Sequence, residues 1–159
     1  MKIIFSSDWT GEGLKIHLEE YVSKQGHEVV ERGLNSEGKA LDYYDAAVSA
    51  ATAMQEGLAD FGVLICGSGM GVSLVANKFK GVYAALCEST FTAERSRAIN
   101  NANILTMGSQ IVGHDVAERM VDVFLSTKHG DNMPDHIIPF ITQALDKVQA
   151  IEAEQLKDK

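Results

Sequence analysis

One of the two cysteines of this chain stands where a thiol can act. Cys66 closes an apolar run, Phe61 to Ile65, and is followed at once by Gly67-Ser68-Gly69-Met70-Gly71, glycines at alternate positions leading into a helical pattern. Such glycines let backbone N–H groups approach an anion closely, and a helix start points its positive end at the same place. A thiol there has its thiolate stabilised and becomes a usable base or nucleophile near neutral pH. Cys66 also has a plainer reading, the buried end of a core strand, which is the usual fate of a cysteine. Its position beside the glycine loop favours chemistry. Cys87 ends another apolar run without such a loop and reads as core. Asp8, in Ser6-Ser7-Asp8-Trp9-Thr10-Gly11, is either a turn or cap residue or a carboxylate for substrate hydroxyls, and the residues alone leave both open.

Other chemistries fail on spacing. A dinucleotide fingerprint is GxGxxG after the first strand, whereas this loop is GxGxG after the third. A P-loop needs Lys followed by Ser or Thr, and Lys78 comes too late. A cysteine phosphatase would carry arginine where Val72 stands. The cysteines lack CxxC spacing, so neither a disulfide framework nor a zinc cluster is indicated. A net charge of -8 argues against a nucleic-acid partner and leaves a small polar ligand. No apolar run approaches the roughly 20 residues of a membrane helix, and Met1 to Ser7 enters a strand pattern without a cleavable signal, so the expected location is the cytoplasm.

The elements that must position Cys66 alternate strand with helix, the pattern of an α/β protein with a parallel sheet covered by helices. Strands are expected at Lys2 to Ser6, Glu28 to Arg32, Phe61 to Ile65, Val82 to Leu86 and Ile104 to Met107. Between them a helix bears Leu14, Leu18, Tyr21 and Val22 on one face and ends at Gly26, an alanine-rich helix spans Asp42 to Glu56 before Gly57, and others cover Met70 to Lys78, Thr90 to Asn100 and Asp115 to Ser126. Five strands in the order 2-1-3-4-5 form an open parallel sheet, in which the loops after strands one and three face each other across the switch point.

Residues 1–127 therefore make one domain core. Residues 128–159 are a polar loop, Lys128 to Asp135, and a long helix whose Ile137, Ile138, Ile141, Ala144, Leu145, Val148 and Ile151 form an apolar stripe. The stripe packs either on a second subunit or back on its own sheet. The charged tail from Glu152 to Lys159 is expected to fray.

KIIFSSDWTG, Leu41-Asp42-Tyr43, ICGSGMGVSLVANKFKGVYAALC and Ser96-Arg97-x-x-Asn100 together give nearly the whole chain a resemblance to the family of ribose-5-phosphate isomerase B and galactose-6-phosphate isomerase. KIIFSSDWTG is similar to the family's strand plus Asp-His-Ala-Gly loop, Leu41-Asp42-Tyr43 to its Asp-Tyr-Pro segment, and ICGSGMGVSLVANKFKGVYAALC to its long signature. Ser96-Arg97-x-x-Asn100, Asn103-Ile104-Leu105 and Gly108-Ser109 continue the match. The resemblance implies a flavodoxin-like or Rossmann-like three-layer sandwich that forms a homodimer or homotetramer with active sites built from two subunits, a sugar or sugar phosphate as substrate, and no metal or organic cofactor. It implies an aldose–ketose isomerisation through a cis-enediol, with Cys66 as proton-shuttling base and Ser68 as the hydroxyl of the anion loop. Gly67, Gly69, Met70 and Gly71 match the N–H cradle for the enediolate oxygen. Asp8, Tyr43 and Asn100 match positions that contact sugar oxygens.

Departures from the family pattern bear on the substrate. Trp9 stands where the ribose-type enzymes carry histidine, and Ile99 where they carry the histidine assigned to ring opening; neither transfers a proton. Gln110, Met133 and Ile137 align with the arginines that grip phosphate and cannot replace their charged fork. Lys128, His129 and His136 are nearby cationic groups that read as ordinary loop residues. The favoured expectation is an isomerase with an altered substrate rather than ribose 5-phosphate, either open-chain, such as a tetrulose phosphate, or lacking phosphate altogether, with Trp9 offering an apolar face to sugar C–H groups. The alternatives are one subunit of a hetero-oligomeric galactose-6-phosphate-type isomerase and a non-catalytic sugar-binding protein.

Overall fold

The computed structural model describes residues 1–156. Five short apolar runs form one parallel sheet: β1 (Lys2–Ser7), β2 (Glu28–Glu31), β3 (Phe61–Cys66), β4 (Ala84–Leu86) and β5 (Ile104–Gly108). Helices α1 (Glu12–Lys24), α2 (Tyr43–Gln55), α3 (Met70–Ala76), α4 (Thr90–Ala98) and α5 (His114–Ser126) connect or follow them, and α6 (Ile138–Gln155) closes the described chain. One layer of the core joins Ile3, Phe5, Val63, Ile65, Leu105 and Met107 to Leu14, Leu18 and Val22 of α1, Ala93 of α4 and Met120 and Phe124 of α5. The opposite layer joins Ile4, Leu64, Cys66 and Ile104 to Ala47, Ala50 and Ala51 of α2 and Val72 and Ala76 of α3. Alanines on the inner face of α2 let that helix lie close to the strands, which leaves the carboxyl edge of β3 within reach of Tyr43 at its first turn.

Strand order corrects the sequence reading. The sheet runs β2-β1-β3-β5-β4, with the last two strands exchanged relative to the expected 2-1-3-4-5. All five residues of β5 are buried, and it pairs with β3 and β4 through Cys66↔Gly108 and Leu86↔Thr106 respectively. β4 is three residues long and partly exposed, the properties of an edge strand. It begins at Ala84 rather than Val82. Asn77 ends α3 before Lys78: its amide donates to the Ser73 and Ala84 carbonyl oxygens and its Oδ1 accepts from the Ala84 N–H, tying the helix end to that edge.

Two further features were not expected. Lys15 on α1 is buried, its Nζ 2.6 Å from Glu31 Oε2 of β2 and 3.9 Å from Glu19 Oε1. Burial, followed by a hydrogen bond to Glu31, raises the Glu19 carboxyl to about 8. The other correction concerns the tail, expected to fray from Glu152. Instead Glu152 lies in α6, accepting from the Gly81 N–H at 2.8 Å and the Tyr83 hydroxyl at 3.0 Å; residues 157–159 lie outside the described residues. Even so, α6 rests lightly on its own chain, with Ile141 as its buried residue and Phe140, Val148 and Ile151 exposed. No described helix is long and apolar enough to cross a membrane.

Candidate active site

Because β5 rather than β4 lies beside β3, three loops meet at the carboxyl edge of the sheet, those following β1, β3 and β5. They are stitched together by their backbones. The Ser109 hydroxyl donates to the Thr10 carbonyl at 2.8 Å, the Ser109 N–H to the Cys66 carbonyl at 2.9 Å, and the Gln110 N–H to the Gly67 carbonyl at 3.1 Å. The third loop is the part the expected strand order could not place.

Cys66 ends β3 with its side chain on the α2–α3 face, buried at 5% exposure, and the Gly69 N–H donates to its Sγ at 3.1 Å. Gly69 makes this turn with φ +76°, in the left-handed region, and a Cβ there would lie 2.6 Å from Leu86 Cδ1 and 2.7 Å from the Met107 carbonyl carbon. Only glycine fits. Gly71 is needed for a different reason: a Cβ on it would sit 2.7 Å from Cδ2 of Tyr43, so its bare backbone is the surface on which the Tyr43 ring rests. Gly67 and Ser68 are half-buried at the rim, Met70 is exposed, and the Met70 N–H reaches Ser68 Oγ at 3.4 Å.

Asp8 fulfils one of its two readings outright and leaves room for the other. Its Oδ1 accepts from the Thr10 N–H at 2.9 Å, the Thr10 hydroxyl at 2.6 Å and the Gly11 N–H at 3.0 Å, closing the turn that starts α1. Oδ2 has no protein partner among the described residues. Thr10, not singled out in the sequence, is thus the group that orients Asp8, and with Gln110 it stands over Gly67: a Cβ there would meet Thr10 Oγ1 at 3.4 Å and Gln110 Oε1 at 3.5 Å. An Asp-x-Thr-Gly turn after a strand is the signal that points to Thr10. Trp9 projects from the same turn and is 73% exposed. Cys87 is core as expected, and burial pushes its thiol up.

Within one chain Asn100 is not part of this assembly. It follows α4, which runs antiparallel to the strands, and so lies at the amino edge of the sheet four residues before β5, while Cys66 pairs with Gly108 at the carboxyl edge. There Ile99 and Asn100 line a cavity of about 280 Å³ with Tyr83 and the Phe140, Ile141, Leu145 and Val148 side chains of α6. The loop after α5 is bound to this end of α4 by the Gly130 N–H on the Ala98 carbonyl and by Arg97 Nε on the Thr127 carbonyl. The two ring nitrogens of His129 are buried there without a partner. No group of three His, Cys, Asp or Glu side chains among the described residues is arranged to hold a metal ion.

The sequence model of the family described as Ribose/Galactose Isomerase matches residues 3–137. The chain is 43% identical over 152 residues to the 4-deoxy-4-sulfo-D-erythrose isomerase of Clostridium sp. (strain MSTE9), covering 96% of both chains. It is 30% identical over 128 residues to the D-erythrulose-4-phosphate isomerase of Pectobacterium atrosepticum, covering 80% of this chain and 84% of the relative. The solved structure of Clostridium thermocellum ribose-5-phosphate isomerase B superposes with a TM-score of 0.86 at 34% identity, covering 98% of this chain and 99% of that one.

Proposed function

This chain belongs to the ribose/galactose isomerase family and is an aldose–ketose isomerase, and from that premise we propose that Cys66 is its base and a four-carbon, open-chain sugar with an anionic terminus its substrate. The Cys66 thiolate removes the proton from the carbon beside the carbonyl, the C–H electron pair moves into a new C–C double bond, and the carbonyl oxygen takes the charge as an enediolate. The loop of Gly67, Ser68, Gly69, Met70 and Gly71 cradles that oxygen, the Gly69 N–H, which already donates to Cys66 Sγ, steadying the thiolate. Return of the proton from Cys66 to the neighbouring carbon, with transfer of the hydroxyl proton between the two oxygens, completes the exchange without redox change. Asp8 Oδ2, Tyr43 and Asn100 hold substrate oxygens, and Trp9 covers the carbon-bound hydrogens.

The observation that carries the substrate reading is the absence of histidine from the three loops around Cys66. A hemiacetal needs a proton donor and acceptor at its ring oxygen, help typically worth about 10² to 10⁴ in rate. Trp9 and Ile99 supply neither. A four-carbon sugar whose O4 is phosphorylated or replaced by a sulfonate cannot close a furanose ring and has no such requirement. The names of the Clostridium and Pectobacterium relatives, both acting on four-carbon sugars, support the same choice. Asn100, at the far edge of its own sheet, reaches a Cys66 loop only as part of another copy, and the exposed stripe of α6 offers an apolar surface for that contact. We therefore infer a homodimer or homotetramer working in the cytoplasm, its two cysteines free.

The test is isomerisation in deuterated water of 4-deoxy-4-sulfoerythrulose, erythrulose 4-phosphate, free erythrulose and ribose 5-phosphate, with NMR reading deuterium at the carbon beside the carbonyl. The expected kcat/KM for an anionic four-carbon substrate is at least about tenfold that for ribose 5-phosphate, a gap of about 1.4 kcal/mol. Ribose 5-phosphate as the best substrate, or no exchange into any of them, refutes the reading.

A further inference from the structure

An anionic substrate needs a cation, and the loops around Cys66 supply none. Residues 6–11, 66–71 and 108–110 contain no lysine or arginine. At the same sheet edge Lys39 is paired with Glu37 at 2.9 Å, and Arg32 turns Nη1 back onto the Glu31 carbonyl at 2.9 Å. The chain as a whole carries -8, so its general field does not attract an anion either.

Two arginines of α4 differ in how their forks are used. Arg97 is buried, its donors taken by Asn101 Oδ1 and by the carbonyls of Thr127 and Ala102, with its guanidinium over the rings of Phe61 and Phe124; it is structural. Arg95 is half-buried and engaged through Nη1 alone, which donates to the Asn132 carbonyl at 3.3 Å and meets Met133 Sδ at 3.0 Å, while its guanidinium carbon lies 5.2 Å from the centre of the Phe91 ring. The adjacent Glu94 takes the Asn132 amide instead, and among the described residues Arg95 has no carboxylate partner. A carbonyl, a thioether and an aromatic face fix the position of a guanidinium without neutralising it, leaving Nη2 and Nε for a ligand. Holding the side chain in advance removes much of the entropic cost of binding. Lys128, the other cation of this face, has no described side-chain contact that would hold it.

Arg95 lies one helical turn before Ile99 on the segment that ends in Asn100, and the 127–133 loop binds the two together. Resting on the substrate reading above, we propose that Arg95 is the specificity-determining residue for the terminal anion. It acts in trans: the copy that lends Asn100 to a neighbour's Cys66 loop lends Arg95 with it, and the fork takes the sulfonate or phosphate oxygens.

Kinetics on Arg95→Met and Arg95→Lys with erythrulose 4-phosphate and neutral erythrulose test this. For Arg95→Met, the preference for the anionic over the neutral sugar should fall at least about 30-fold, mainly through KM for the anion, and Arg95→Lys should recover part of it. Co-expression of Cys66→Ala and Arg95→Met chains tests the arrangement in trans. In a random dimer population half the molecules are mixed and each holds one intact site, so wild-type-like activity at low anion concentration should return to about a quarter. An unchanged preference in Arg95→Met, or mixed dimers no better than the sum of the parents, overturns the proposal. If the wild type turns over neither tetrulose, the substrate reading fails and this proposal with it; if it does and Arg95→Met keeps its preference, Arg95 alone is refuted.

Discussion

Replacement of Gly71 by alanine should separate activity from stability, because what the new methyl meets is a movable ring. The Cβ would stand 2.7 and 2.8 Å from Cδ2 and Cε2 of Tyr43, where ordinary contact begins at 3.4 Å. Tyr43 is 42% exposed and opens α2, so its side chain can retreat by roughly 1 Å without disturbing the core. Alanine in place of a helical glycine gains up to about 1 kcal/mol, which offsets the displaced contact. Stability should therefore stay within about 1 kcal/mol of wild type, a Tm change of roughly 4 °C or less. If Tyr43 positions the substrate, a shift of about 1 Å costs about 10- to 100-fold in kcat/KM. The assay is kcat/KM beside a thermal melt for Gly71→Ala, Tyr43→Ala and the double variant. With the ring gone the methyl has nothing to displace, so Gly71→Ala in the Tyr43→Ala background should change kcat/KM by less than about twofold. An equal loss in both backgrounds, or a large fall in Tm, would show that the glycine loop itself is distorted and that the Tyr43 contact is incidental.

Two other outcomes are expected. Cys66→Ala should lower kcat by at least about 10³ with a stability loss of about 1 kcal/mol, since it removes the base but only one buried atom; activity within a few-fold of wild type would exclude Cys66 as the base. For the carboxyl pair, the folded protein binds a proton on Glu19 up to about 8, whereas the unfolded chain releases it near 4.5. Stability from this group is therefore present at low pH and lost as pH rises from about 4.5 to 8. Glu19→Gln should remove part of that loss, on the order of 1 kcal/mol, in urea unfolding compared at pH 5 and pH 8.5; identical pH slopes for variant and wild type would contradict the raised Glu19 carboxyl.

Local pattern by itself determined the element identities, the Cys66 loop and the core role of Cys87. Each rests on information a short segment carries: an apolar run of strand length, glycines at alternate positions, an apolar face at helical spacing. That Trp9 and Ile99 transfer no proton was equally legible, because such side chains cannot do so in any fold, whereas the histidines they replace are known only from the resemblance to the family. Tertiary structure decided what depends on which segments meet. β4 and β5 are both short apolar runs, and the choice of β5 for the centre came from burial on both faces, which put Ser109 and Gln110 against Cys66 and Gly67. Lys15 reads as a surface residue on a helix until β2 brings Glu31 to it. Asp8 had two roles in the sequence, and the turn it closes divides them between its two oxygens. Asn100 sits in a motif that resembles a substrate contact, yet the direction of α4 places it at the edge of the sheet away from Cys66. Sequence spacing fixes which face of an element a residue occupies, whereas the pairing of distant segments, a balance of burial against chain entropy over the whole domain, fixes which of those faces share a site.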